Sequence, residues 1–210
     1  MKILFVEDKI NRRRSALLNG EEDVERLKNY PFVDIREDLD EMIENKEYEL
    51  FEKYNVLMIH TSYLTETFQI SKILEVKIAC QKYSCNLVLF SGGADHKYKF
   101  DAKSNHQHLE VKTVFFYSEN LFTFLDNCYD WNGENSSPSL LQIRYGTKWE
   151  LSTLFKLKYN LMRLIAEGKS SEDSLMEFNA DILSLSINTT LNSEVNLLEE
   201  IESRINSIMA

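Results

Sequence analysis

The sequence predicts an α/β protein: a five-stranded parallel sheet with covering helices, followed by an α-helical C-terminal region. Three observations carry this. Short apolar runs at 2–6, 55–60, 86–90 and 111–117 alternate with helix-patterned stretches, as βαβ units do. After about residue 138 the pattern is helical throughout. The 210 residues include only 2 prolines and 6 glycines, too few for a turn-rich all-β fold.

Ile3-Leu4-Phe5-Val6 is apolar on both faces, as a buried parallel strand is, and it stops at Glu7 and Asp8. A loop with Arg12, Arg13 and Arg14 follows. A polar helix spans about 21–29 and Pro31 ends it. Phe32 to Ile35 alternates, which suits a strand near an edge. Asp38 caps a helix over about 39–53 with Leu39, Met42, Ile43, Leu50 and Phe51 as its stripe. The third strand, 55–60, closes on His60, before Thr61 and Ser62. A helix over about 65–83 points Phe68, Ile70, Ile73, Leu74, Ile78 and Ala79 inward. The fourth strand, 86–90, ends at Ser91-Gly92-Gly93. Residues 94–109 lack clear periodicity and read as a loop. The fifth strand is 111–117, with a helix from Asn120 to Cys128.

Asn132 to Pro138 is turn-rich and separates an α/β domain, 1–130, from a helical region, 138–210. One helix covers 147–167, with Gly168 at its C′ position. Ser170 or Ser171 caps a second. The last starts at Asn192 and repeats Leu198, Ile201, Ile205 and Ile208 at steps of three and four, a narrow helix-contact seam.

The net charge of −10 disfavours general nucleic-acid coating. Cys80, Cys85 and Cys128 form no CxxC pair and read as reduced, mostly buried thiols of a cytoplasmic protein. The first strand starts at the N-terminus, so no signal peptide is expected. No apolar run approaches ~18 residues, so no membrane span is expected either.

In open α/β sheets ligands bind beyond the carboxyl ends of the strands. That makes Glu7, Asp8, His60, Ser62, Ser91 and Gly92 the candidate pocket. Glu7 and Asp8 offer the hard oxygens that suit Mg²⁺, or are solvated acids at a strand end. His60 is a phosphorylated histidine, a base or a metal ligand, or it simply bonds Thr61 and Ser62. Asp95, His96, His106 and His108 form a metal site or an ordinary loop. Arg12, Arg13 and Arg14 contact phosphate, or pair with Glu21, Glu22 and Asp23. The tail seam of Leu198, Ile201, Ile205 and Ile208 is a homodimer or partner interface, or packs on the preceding helices.

Lys2-Ile3-Leu4-Phe5-Val6-Glu7-Asp8 resembles the first strand and acid pair of bacterial response-regulator receiver domains, and the element order over about 1–128 resembles theirs. The resemblance implies a flavodoxin-like sheet and an Mg²⁺ site at Glu7 and Asp8. Ser91 falls where that family has a Ser or Thr. His60 stands where its phospho-accepting Asp closes the third strand, and Tyr117-Ser118 where its Lys closes the fifth. The resemblance therefore implies a pseudo-receiver: a non-catalytic bacterial regulatory protein that acts through a protein partner or as a homodimer. Leu89-Phe90-Ser91-Gly92-Gly93-Ala94-Asp95-His96 also resembles the SGGxDS loop of PP-loop ATP pyrophosphatases. That likeness implies a nucleotide- or phosphate-handling enzyme using Ser91, Gly92, Gly93 and Asp95, with the arginines as anion clamps. A third expectation is an accessory subunit of a larger enzyme.

Overall fold

The computed structural model describes residues 1–6, 26–36, 39–66, 71–94, 96–101, 104–131, 138–168, 179–185, 187 and 194–209. Contacts divide the chain into two compact units, Met1–Gly146 and Thr147–Ala210.

The first unit is α/β. Its strands are β1 (Ile3–Val6), β2 (Val33–Arg36), β3 (Val56–His60), β4 (Asn86–Ser91), β5 (Lys97–Asp101) and β6 (His106–Lys112). They form one sheet in the order β2-β1-β3-β4-β6-β5. All neighbours pair parallel except β5, which runs antiparallel to β6 at the edge. The helices are α1 (Asp40–Glu44), α2 (Thr61–Glu66), α3 (Ile73–Lys82), α4 (Thr113–Phe116), α5 (Glu119–Asp130) and α6 (Leu141–Tyr145).

Alternation along the strands builds two cores. Ile3, Phe5, Met58, Phe90 and Val111 pack with Phe116, with Leu121, Phe124 and Leu125 of α5, and with Leu140 and Ile143. Leu4, Val6, Leu57, Ile59 and Leu89 pack on the other face with Ile43, Phe51, Leu64, Val76 and Cys80. Burial on both faces explains why β1, β3 and β4 are nearly unbroken apolar runs. The first core centres on stacked rings: Phe90 lies 3.9 Å from Phe116 and 6.0 Å from Phe5. At the starts of the strands, the Asn55 and Asn86 side chains accept backbone N–H bonds from Lys2 and Gln107, each at 2.7 Å. These bonds tie neighbouring strands where the ladder begins.

Several expectations need correction. Among the described residues the sheet has six strands, not five. The stretch expected as a loop holds β5 and most of β6, and the last parallel strand ends at Lys112, before helical residues 113–116. Asn105, with φ of 50°, makes the left-handed turn between β5 and β6. The helix expected over 39–53 breaks at Lys46, with φ of 59°, and resumes as a 3-10 turn, Tyr48–Lys53. The α3 stripe is also rotated. Val76, Ala79 and Cys80 are buried, while Leu74 and Ile78 are 68% and 59% exposed.

The expected break at 132–137 lies outside the described residues. Residues 138–146 belong to the first unit, and Gly146 closes it at φ of 63°. A Cβ there would meet Asn120 Oδ1 at 2.6 Å, so only glycine fits.

The second unit contains α7 (Trp149–Ala166), α8 (Asn179–Ser184) and α9 (Glu194–Met209). Leu154, Leu157, Leu161 and Leu164 of α7 pack with Ile182, Leu197, Ile201 and Ile205. Gly168, at φ of 63°, follows α7 as its C′ position requires. The tail seam is therefore internal in large part. Ile201 and Ile205 are 0% and 6% exposed within this core, because a two-helix contact is what their spacing serves. They are not available as an intermolecular interface. Leu198 is half-buried and Ile208 is exposed.

All three cysteines are free and buried. Burial raises the Cys80 thiol, with Cys85 adding to it, and pushes Cys128 up to about 12, so both thiols stay protonated. No helix among the described residues is long and apolar enough to cross a membrane.

Candidate functional site

The strand order reverses between β1 and β3, and the crevice beyond their carboxyl ends is the favoured ligand position in such sheets. Glu7, Asp8, Arg12, Arg13, Arg14 and Asp95 lie outside the described residues. The other predicted residues are placed. His60 closes β3 with 6% exposure, its ring edge-on to Phe90 at 5.2 Å. Its Nδ1 accepts the backbone N–H of Ser62 at 3.2 Å. The Thr61 hydroxyl donates to the Phe90 carbonyl at 3.0 Å. His60 is thus buried, with Nδ1 engaged by the Ser62 backbone.

Ser91 closes β4 and lies in register with Lys112 at the end of β6. Lys112 is exposed. The sequence reading passed over this lysine because it ran the strand on to Tyr117. Tyr117 is instead a core residue, and Ser118 caps α5 by accepting the Asn120 backbone N–H.

Gly92 and Gly93 follow Ser91 at the end of β4. A Cβ on either would meet open space. Among the described residues the turn leads into β5 rather than into a helix.

The histidines of 94–109 separate into two places. His96 sits edge-on to Tyr145 at 5.6 Å. His106 and His108 point the other way, into a cavity of about 320 Å³ between α3 and the β5–β6 hairpin. Lys77 and Gln81 of α3 and Lys99 and Asp101 of β5 also line it. Lys99 is opposite His108 in the register, and Asp101 opposite His106. Asp101 accepts from Gln81 at 3.2 Å and from Ser104 at 2.7 Å. Lys77 pairs with Glu110 at 2.7 Å. Among the described residues no group of three His, Cys, Asp or Glu side chains is arranged to hold a metal ion. A second hollow of about 340 Å³, between the 3-10 turn and α3, has its central carboxylate occupied: Glu75 takes Lys72 at 3.1 Å and the Tyr48 hydroxyl at 3.1 Å.

Burial lowers both cavity imidazoles. His108 falls to about 4, through desolvation first and the charge of Lys77 second. His106 is lowered by desolvation, against a backbone hydrogen bond to Cys85. Both are neutral at pH 7. Because the folded pKa lies below the unfolded value, the unfolded chain takes the proton first on acidification. Stability is then full above the ordinary histidine pKa and is lost as pH falls from there towards 4. For His108 the loss is on the order of 3 kcal/mol when complete. Glu110, held below its ordinary value by Lys77 against its own burial, adds a loss of the same sign in a more acidic range. Urea melts between pH 7 and pH 5 should show the histidine part, and His108→Gln should flatten it. A wild-type profile that is flat over this interval contradicts a buried neutral His108.

Comparison with family models, curated proteins and solved structures finds no match.

Proposed function

We propose that the chain is a non-catalytic regulatory protein whose α/β unit has a receiver-like layout and acts by contact with a protein partner or a second copy. The observation that carries this reading is the end of β3. Where a phospho-accepting carboxylate is required, His60 is buried, with Nδ1 engaged by Ser62, and Thr61 is engaged by Phe90. No carboxylate stands there, so an aspartyl phosphate cannot form at this position.

The surroundings support the receiver-like part. The five parallel strands follow the flavodoxin-like order, with β6 in fifth place. Ser91 and Lys112 stand in register at the ends of its fourth and fifth strands. A hydroxyl and a lysine at these ends are what a receiver-like layout calls for, and this register supports the reading. The departure from that layout is the edge hairpin, which takes the place of a covering helix after β4. Glu7 and Asp8 would hold Mg²⁺ in a working receiver, and an Mg²⁺ site there belongs to this proposal. The enzyme alternative has less support, because the Ser91-Gly92-Gly93 turn leads into a strand rather than a helix N-terminus.

The experiment is exposure of the purified chain to Mg²⁺ and a small phosphoryl donor. The chain is expected to emerge unmodified.

A further inference from the structure

We propose that the cavity between α3 and the β5–β6 hairpin binds a small anion that also carries a hydroxyl or amino donor. This rests on the cavity alone and does not depend on the regulatory reading.

The sheet face explains why a cavity exists here. Over β1, β3 and β4 this face is covered by α1, α2 and α3 and is apolar. Over β6 and β5 it is polar: His106, His108 and Glu110 alternate along one strand, opposite Asp101, Lys99 and Lys97 on the other. Buried imidazoles on such a face are ordinarily hydrogen-bonded.

The imidazoles are the second observation. His106 and His108 are 8% and 9% exposed, yet the Nε2 of each has no hydrogen-bond partner among the described residues. Glu110 Oε1 lies 3.4 Å from His108 Nε2 but outside hydrogen-bond geometry. An unmet buried polar atom is costly, and a complementary ligand atom removes that cost. For His106 the missing atom has a definite character. Its ring bonds the Cys85 backbone, and since Nε2 is free of partners, Nδ1–H makes that bond. Nε2 is then a lone pair, which calls for a donor.

The charges supply the anion requirement. Lys99 is exposed and has no ion pair among the described residues. Lys77 lines the same cavity and shares its charge with Glu110. Asp101 also lines the cavity and keeps its charge, with Oδ2 taking Gln81 and Ser104, so the anion is placed on the Lys99 and Lys77 side. A phosphate or carboxylate against Lys99 and Lys77, with a hydroxyl or amine reaching His106, meets the charge of Lys99 and the lone pair of His106. The volume of about 320 Å³ is at the small end of the range for metabolite pockets.

The test is titration of the full chain with glycerol 3-phosphate, lactate and inorganic phosphate at equal ionic strength, followed by melting temperature and by the imidazole NMR signals of His106 and His108. Glycerol 3-phosphate or lactate should raise the melting temperature and move both imidazole signals, and which of them does so separates a phosphate ligand from a carboxylate one. Inorganic phosphate should bind more weakly than glycerol 3-phosphate. Lys99→Gln, at an exposed position that leaves the fold intact, should weaken binding by about tenfold, and His106→Phe should weaken it without removing the charge contact. Absence of any shift with all three probes overturns the proposal. So does binding that Lys99→Gln leaves unchanged.

Discussion

Phe90→Ala should lower the stability of the α/β unit by about 4 kcal/mol and its melting temperature by roughly 10 °C. Phe90 is wholly buried at the centre of the sheet. Its ring stacks on Phe116 with planes 5° apart, meets Tyr117 edge-on at 5.5 Å, and receives His60. Truncation removes transfer energy and leaves a cavity that four rings cannot close by small shifts, since each is held by its own backbone element. Because folded domains are stable by only ~5–15 kcal/mol, this is a large fraction of the total. Phe90→Leu keeps much of the volume and should cost less than half as much. Thermal denaturation followed by circular dichroism decides it. A loss under about 1 kcal/mol for Phe90→Ala would mean that the stack is not formed.

Ile201→Glu together with Ile205→Glu should unfold the helical unit and leave the α/β unit folded. Both side chains sit in the core shared by α7 and α9. Each buried carboxylate costs several kcal/mol unless it is paired. A unit of this size, with three described helices, has little stability to set against that. Helical circular dichroism should fall, while the near-ultraviolet signal of the tyrosine- and phenylalanine-rich first unit persists. Had the seam been an intermolecular surface, the double substitution would leave helicity intact and change only the oligomeric mass. That outcome would return Ile201 and Ile205 to an interface role.

These residues also show what the sequence could convey. β1, β3 and β4 were legible because burial on both faces leaves no choice but apolar residues. Helix α5 was read over Asn120 to Cys128, within its observed span, while its cap Ser118 was assigned to the end of the preceding strand. The spacing of Ile201 and Ile205 correctly named an apolar helix face, but periodicity does not say whether the occupant is the same chain or another. The β5–β6 hairpin was missed because one of its faces is polar, and an apolar-run criterion passes over Lys97, Lys99, His106 and His108. A signal was present in the period-two alternation of Lys97-Tyr98-Lys99-Phe100 and in the Ser104-Asn105 turn. Missing it displaced the end of the last parallel strand and concealed Lys112. Leu74 and Ile78 were assigned inward by hydrophobicity alone, whereas the face of α3 is set by Val76, Ala79 and Cys80. Of the candidate site, His60, Ser62, Ser91 and Gly92 were found near the strand ends, and the histidine-lined cavity was not anticipated as one place.

The regulatory reading turns on whether the strand ends accept a phosphoryl group. The decisive measurement is the intact mass of the chain after incubation with acetyl phosphate and Mg²⁺, run beside a sample without the metal. The account predicts the unmodified mass in both, because no carboxylate ends β3 and the His60 imidazole is buried and bonded. Mg²⁺-dependent addition of one phosphoryl group, mapped to His60, Glu7 or Asp8, would contradict it and make the strand-end crevice a site of phosphotransfer.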